Sequence, residues 1–76
     1  MIRELDMVVL TRDIAEHGLK KDDVGAVVHS YADREAFEVE FVAAEGKTVA
    51  VLTLTVTDIR PIHTGEILHV RALATA

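Results

Sequence analysis

The fold is decided by residues 24–54, which read VGAVVHSYADREAFEVEFVAAEGKTVAVLTL. At the centre of this stretch, apolar residues alternate with glutamates from Phe37 to Phe41. Alternation with a period of two is typical of a strand that has one buried and one solvated face. Apolar, β-branched segments lie on both sides and are separated from it by polar turns. The stretch therefore predicts three successive strands, with both phenylalanines in the core.

Two further strands are predicted outside this stretch. Residues 5–10 read LDMVVL, which includes β-branched residues and no strand breaker, so we expect them to form the first strand. Residues 59–62 form a short last strand, and Pro61 restricts it to an edge because proline cannot donate a hydrogen bond to a neighbouring strand. The whole pattern predicts an all-β fold, a small five-stranded antiparallel SH3-like barrel with a long first loop and an extra C-terminal segment.

Two positions in the predicted strands indicate irregular geometry. Gly25 lies inside an apolar segment, which predicts a bulge or a neighbouring backbone that passes close by. Residues 48–55 are apolar on both faces of their strand, which predicts a phase change or a bulge within it. Such a bulge suits a sheet that curls onto itself.

Residues 11–23 form the long polar loop after the first strand. A loop of this length in a small domain is either functional or packed by its own side chains, and we expect Ile14 and Leu19 to pack beneath it. The predicted loop-structuring residues are Glu16, His17 and Gly18. The glycine can adopt a positive φ without steric cost, and we expect the histidine to hold the turn through hydrogen bonds to the loop backbone.

The length of 76 residues limits the chain to one domain. We divide it into a barrel at 1–62 and a C-terminal tail at 63–76. A domain of this size is marginally stable unless a disulfide, a metal, a partner chain or an unusually apolar core supports it. The sequence has no cysteine and is 50% hydrophobic. This composition predicts either a dense core or an apolar surface that a second chain covers.

The tail has two interpretations. Residues 63–76 are either a frayed chain end or an extra strand that is laid on an open edge of this barrel or of a neighbour. The apolar residues between Ile67 and Leu73 would be exposed in a monomer, and natural proteins usually cover such edges. We therefore predict that the chain forms a homo-oligomer through the tail.

Charge and hydropathy argue against two classes of partner. The net charge is −5, and the eight basic residues are scattered instead of forming the basic patch that binds phosphates. The apolar runs are shorter than the roughly 20 residues that cross a bilayer, and the N-terminus lacks the pattern of a secretory signal. We therefore expect no nucleic acid and no membrane as partner, and we expect a cytoplasmic location.

Acidic residues are concentrated near the middle of the chain. Residues 33–45 contain five of them and one arginine, so five negative charges and one positive give a local charge of −4. Such a stripe can steer a basic partner by long-range attraction, although it suits a merely solvated strand face just as well. The candidate partner-binding residues are Tyr31, Asp33, Glu35, Glu38 and Glu40.

Catalytic chemistry has little support in the sequence. His29 and Ser30 are neighbours in a predicted strand, so their side chains point to opposite faces and cannot form a nucleophile–base pair. The four histidines match no compact metal-binding motif. We therefore assign no catalytic, cofactor-binding or metal-binding residue and predict that the protein is not an enzyme.

Five short segments follow one another in a specific order. They read EHGL at 16–19, DVGAVV at 23–28, FEVEF at 37–41, LTL at 52–54 and DIRP at 58–61. In order and spacing they resemble the bacterial family named domain of unknown function 4926. The resemblance covers residues 5–62 and implies an SH3-like barrel, related in shape to the β-subunit barrel of nitrile hydratase. It implies no established activity. Some members look like small partners encoded beside toxin-like proteins, which suggests an antitoxin or immunity role.

The sequence therefore predicts a non-enzymatic protein-interaction module, and an antitoxin or immunity-type partner of a co-encoded protein is one version of it. The expected partner is another protein with a basic surface. Two alternatives stay open. One is a small-ligand or metal-binding barrel that uses Glu16 and His17 in the long loop. The other is an accessory subunit that stabilises an enzyme without supplying catalytic groups.

Overall fold

The computed structural model describes residues 2–31, 33 and 35–73. Five strands lie within these ranges: β1 at Met7–Leu10, β2 at Val24–Ser30, β3 at Ala36–Val42, β4 at Thr48–Thr55 and β5 at Ile59–Pro61. All paired strands are antiparallel, and their order across the sheet is β4-β3-β2-β1-β5. The predicted all-β, five-stranded antiparallel fold class is confirmed. Among the residues with described structure, no helix has the length and hydropathy that a membrane crossing requires.

The sheet curls around one apolar core. Leu54 on β4 and Ile59 on β5 lie on strands at opposite edges of the sheet, yet both belong to the same buried cluster. The apolar residues of β3 are buried there, whereas the glutamates between them are only partly buried. The predicted placement of Phe37 and Phe41 in the core is therefore confirmed. No ladder joins β4 to β5 in the described ranges, so the barrel-like, SH3-type sheet stays open at this point.

Two irregularities in strand pairing help the sheet to bend. The first lies in β2, between Val27 and His29. The second lies at the start of β4, where Val49 is the extra residue between two paired positions. Because a bulge adds twist and bends its strand, these positions suit a sheet that must curl within a few residues. The bulge predicted in β4 is confirmed.

Gly25 has a different role from the one that the sequence predicts. A Cβ atom at this position would lie 2.7 Å from Cγ1 of Val39 and 2.9 Å from Cε1 of Phe41. The prediction of a bulge or a close backbone is wrong here, because the nearest atoms belong to core side chains of β3. The glycine leaves the space in which those side chains pack over β2.

The long first loop contains one 3₁₀ turn at Ala15–His17, which Gly18 ends in a left-handed conformation with φ 69°. On either side of this turn, Ile14 and Leu19 exchange backbone hydrogen bonds of 2.9 and 3.1 Å. Both side chains are buried in the core cluster. The predicted packing of these two residues beneath the loop is therefore confirmed.

The described part of the tail, residues 63–73, contains no strand or helix. Its first half lines a shallow cavity together with Val9. Val9 is buried although it does not belong to the core cluster, which indicates that the tail covers the outer side of β1. Residues 1 and 74–76, at the ends of the predicted barrel and tail, lie outside the described residues.

Two ion pairs hold this tail against the sheet. The carboxylate of Glu66 lies 2.7 Å from the guanidinium of Arg60 on β5. Arg71 donates two hydrogen bonds to Asp23 at the end of the first loop, of 2.8 and 2.5 Å. Bidentate pairs of this kind fix geometry as well as charge. We call these contacts the tail clamps.

Candidate protein-binding face

The outer side of the sheet, away from the core, carries the strand glutamates that the sequence selects. Strand pairing aligns Glu38 of β3 with His29 of β2 and Thr53 of β4. Because directly paired residues project to the same side of a sheet, these side chains form one row across three strands. The adjacent row contains Met7, Ala26, Glu40 and Val51.

Glu38 is a carboxylate held by two hydroxyl groups. Its Oε1 atom accepts hydrogen bonds from the Thr53 hydroxyl and, at 3.0 Å, from the Tyr31 hydroxyl. Donation by Thr53, followed by donation from Tyr31, lowers the pKa of Glu38, because hydrogen bonds to the charged form favour it. The contact with Glu38 in turn raises the pKa of Tyr31. The Glu38 carboxylate is therefore ionised at neutral pH and held in one orientation.

Tyr31 links this carboxylate to a neighbouring histidine. The Tyr31 and His29 rings meet edge-on, with centroids 4.8 Å apart and planes at 86°, which is a favourable aromatic geometry. Nδ1 of His29 lies 3.5 Å from Oε2 of Glu4. Tyr31 is still 41% exposed, so an aromatic surface next to a fixed carboxylate faces the solvent. The tyrosine cluster, as we name it, consists of Glu4, His29, Tyr31, Glu38 and Thr53.

The other predicted partner-binding residues lie around this cluster. Glu40 is on the same face, and its Oε2 accepts a 2.7 Å hydrogen bond from the Thr48 hydroxyl. Asp33 and Glu35 are in the turn between β2 and β3, where the Glu35 N–H donates to Asp33 Oδ1 at 3.0 Å. In the part of the chain that the structure describes, these two carboxylates form no hydrogen bond with the tyrosine cluster. Arg34, which lies between them in sequence, is outside the described residues.

Apolar side chains adjoin the polar groups. Met7, Val28 and Val51 are between 43 and 50% exposed, and the first and last of these share a row with Glu40. Sequence reasoning missed these residues as members of the face. The period of two in β1 and β4 was an available signal for Met7 and Val51, since each is next to a residue that faces the core.

The predicted loop-structuring residues all lie at the 3₁₀ turn of the first loop but make different contacts. The N–H of Gly18 donates to the carbonyl of Ala15 at 3.0 Å, and its own carbonyl accepts a 2.9 Å hydrogen bond from Arg71. The side chains of Glu16 and His17 are exposed and make no hydrogen bond with another described residue. The Arg71 contact spans 53 residues, and no local pattern in the sequence signals it.

The histidines are dispersed over the molecule, in the first loop, at the tyrosine cluster and in the tail. Within residues 2–31, 33 and 35–73, no three histidine or carboxylate side chains converge in a way that could hold a metal ion. The groups that the outer face does bring together are two oriented carboxylates, an exposed phenol ring and neighbouring apolar side chains. This arrangement can attract and orient a cationic group while it excludes water around it.

The model of one protein family matches this set of elements. It is the family described as Domain of unknown function (DUF4926), and the match covers residues 4–61. The chain belongs to this family. The matched range includes all five strands and the whole tyrosine cluster. The resemblance that the sequence motifs indicate is therefore confirmed. No curated protein and no solved structure matches the chain.

The DUF4926 match ends at Pro61, so the tail lies beyond it. Each tail clamp consequently joins a residue inside the matched range to one outside it: Arg60 to Glu66, and Asp23 to Arg71. The barrel and the outer face are features of the family range. The covering of β1 by the tail is a feature of this chain that the match does not include.

Proposed function

We propose that this DUF4926 member is a non-enzymatic interaction module that binds a protein with a basic surface through the tyrosine cluster and Glu40. One observation carries the proposal. The Glu38 carboxylate is fixed by Thr53 and Tyr31 beside an aromatic ring that remains exposed. A side chain that is held in place and left accessible is suited to recognition more than to core packing.

The chemistry of the tyrosine cluster favours a protein partner. Tyrosine offers a large, rigid contact area that loses little conformational entropy on binding, and it is enriched at protein interfaces. A carboxylate that is already oriented also loses little freedom when it binds a cation. Lysine and arginine donate strong, charge-assisted hydrogen bonds to such groups. The partner is therefore expected to place a lysine or an arginine against Glu38.

Long-range electrostatics support the same kind of partner. The chain has a net charge of −5, and two further carboxylates, Asp33 and Glu35, precede β3 in the sequence. Complementary charge raises the association rate, and this effect weakens as salt rises because surface charges are screened over about 8 Å at physiological ionic strength. Binding to the proposed partner should consequently weaken strongly with salt.

An antitoxin or immunity role is the version of this proposal that the family resemblance suggests. Proteins that act on nucleic acid need basic surfaces to contact phosphates, so an acidic face suits an inhibitor of such a toxin. The target would then be encoded next to this chain. The cysteine-free sequence supports a cytoplasmic setting, where disulfides rarely form.

The test compares two variants that change the net charge equally. Glu38→Lys combined with Glu40→Lys reverses the two carboxylates of the outer face. Glu16→Lys combined with Glu45→Lys reverses two exposed carboxylates elsewhere. Binding to the purified product of the neighbouring reading frame is measured by calorimetry at low and physiological salt. We expect the first variant to weaken binding about a hundredfold, and the second to weaken it far less.

Equal losses in the two variants would show that only net charge matters and would contradict the assignment of the face. Undiminished binding by the Glu38→Lys, Glu40→Lys variant would contradict it as well. If the wild-type chain does not bind the neighbouring product at all, the antitoxin version is wrong.

A further inference from the structure

The two edges of the sheet are protected very differently. β5 is only three residues long and contains Arg60 and Pro61. One tail clamp also holds Glu66 against this strand by an ion pair with Arg60. Short length, charge and proline are the usual means by which natural proteins prevent an edge from pairing with another chain. The β5 edge therefore has all of these means of protection.

Along most of its length, the β4 edge lacks these three forms of protection against pairing. This strand has eight residues and reads TVAVLTLT, with no charged residue, proline or glycine. In the described chain its only neighbour in the sheet is β3. The bulge at Val49 disturbs only the start of the strand, and pairing with β3 is regular from Ala50 to Thr55. A long, uncharged edge of this kind is a template for strand addition.

The core is also incompletely covered along β4. Val49, Ala50 and Leu52 pack against the core cluster but are only partly buried. On the outer side of the same strand, Val51 is 50% exposed. A strand added beside β4 would therefore satisfy backbone groups and remove apolar surface from water on both faces.

We infer that β4 pairs antiparallel with β4 of a second copy of this chain, so that two sheets become one. The strand is complementary to itself in this arrangement. In a register centred on Leu52, Val51 lies opposite Thr53 of the other copy, which is a favourable pair of β-branched residues. The partly buried Leu52 side chains then lie opposite each other, next to the two cores.

Charge does not oppose a second copy as the occupant. Each chain has a net charge of −5, which would normally oppose self-association. The outer-face carboxylates are on β3, however, one strand away from the seam. Opposing β3 strands would be three strand spacings apart, about 14 Å, which exceeds the screening length of about 8 Å. β4 carries no charge that would favour a basic partner. Its edge therefore suits an uncharged strand, such as β4 of a second copy.

The experiment measures the mass of the full chain by sedimentation equilibrium over a wide concentration range. We expect the wild type to approach twice the 8.3 kDa mass of one chain. Val51→Lys places a charge at the centre of the seam and should raise the dissociation constant at least about tenfold, because an edge lysine is one of the means of blocking strand addition. Val28→Lys is the matched control, since Val28 is 43% exposed and lies on β2, two strands away from the seam. This variant should remain dimeric.

A wild type that stays monomeric at millimolar concentration would overturn the inference, as would dissociation of both variants alike. Ile67→Lys tests association through the tail, because Ile67 is 89% exposed. A dimer that is lost in Ile67→Lys but kept in Val51→Lys would assign the interface to the tail and overturn the inference.

Hydrogen exchange on the wild type keeps the inference testable if Val51→Lys does not fold. Amides of β4 should gain protection as the protein concentration rises, while those of β5 should not change. Protection in β4 that is independent of concentration would contradict the pairing.

Discussion

The inner and outer faces of β3 belong to the same strand but differ in packing and in charge. On the inner face, three apolar side chains are fully packed, and not even one additional methyl group fits at the facing Gly25. On the outer face, Glu38 and Glu40 are partly exposed and accept hydrogen bonds from hydroxyl groups of neighbouring residues. The difference shows how a small domain separates stability from recognition. Burial on one side stabilises the fold, so the other side is free to carry charge.

The largest expected effect comes from removing an inner-face ring. Phe37→Ala deletes one of the largest fully buried side chains, and such truncations cost about 3–5 kcal/mol because a cavity remains. A domain of this size has little stability to lose, so we expect most of the variant to be unfolded at room temperature. Circular dichroism during urea denaturation measures the change. A loss below about 1 kcal/mol would contradict the assignment of Phe37 to the core.

A smaller but still large effect is expected from Gly25→Ala. The added Cβ would lie 2.7 Å from Val39 Cγ1, and overpacking of a filled core costs about 1–3 kcal/mol. Urea denaturation of a double-mutant cycle with Val39→Ala isolates the cause. Because the second change removes the clashing methyl group, the double variant should be more stable than the sum of the two single losses predicts. Additive losses would instead assign the effect to the remaining contact with Phe41.

An intermediate effect is expected at the tail clamps, which are neither core nor open surface. The side chains of Asp23 and Arg71 are 17% and 28% exposed. Asp23→Asn should destabilise the fold by about 1–2 kcal/mol, which lies between the values for exposed ion pairs and for hydrogen bonds to charged groups. Arg71→Lys keeps the charge but not the bidentate geometry, so thermal denaturation should place it between wild type and Asp23→Asn.

The tail clamps also predict a pH dependence. Burial alone would raise the pKa of Asp23, but hydrogen bonds from Arg71 and the Lys20 N–H hold it below the usual value. The Arg60 guanidinium lowers the pKa of Glu66 to about 2. Carboxylates with lowered pKa values contribute their full stabilisation above their ordinary values near 4 and lose it as the pH falls through the lowered values. NMR signals of the Arg60 and Arg71 guanidinium groups should thus change below about pH 4. A change centred above pH 5 would contradict the clamps.

The smallest effect on stability is expected on the outer face. Tyr31→Phe removes one hydrogen bond to a partly exposed carboxylate, so the free energy of unfolding should change less than in any variant above. The pKa of Glu38 should rise toward its ordinary value, because one of the two donors to the charged form is lost. An NMR titration of the Glu38 side chain measures the shift. A destabilisation as large as that of Gly25→Ala would contradict the separation of the two faces.

Sequence patterns predicted the strands well where the pattern is local. The alternation around Val39 placed the inner and outer faces of β3 correctly, and β4 has the predicted bounds of Thr48–Thr55. The first strand was predicted from residue 5 but begins at Met7. Leu5 has a φ of 73° and therefore cannot continue a strand, because this left-handed conformation is incompatible with the extended backbone. Leu5 itself is apolar like the strand residues Met7 to Leu10, and this similarity gave no sign of that turn.

The candidate site was predictable in part for the same reason. Glu38 and Glu40 follow from the alternation, and Tyr31 follows from its position at the end of the second strand. Their partners Thr53 and Thr48 could not be predicted, because the alignment of β3 with β4 depends on the bulge at Val49. A shift of one residue would have turned different side chains toward the glutamates.

By itself, the sequence determined the fold class and the two faces of the strands, because side chains alternate along any extended backbone and this pattern needs no distant contact. Tertiary structure alone decided which residues meet. Asp23 and Arg71 are 48 residues apart in the chain. A Cβ atom at Gly25 would be crowded because the pairing of β2 with β3 places Val39 and Phe41 beside it. Those contacts depend on where strands pair and where bulges fall, which is settled by the packing of the whole core.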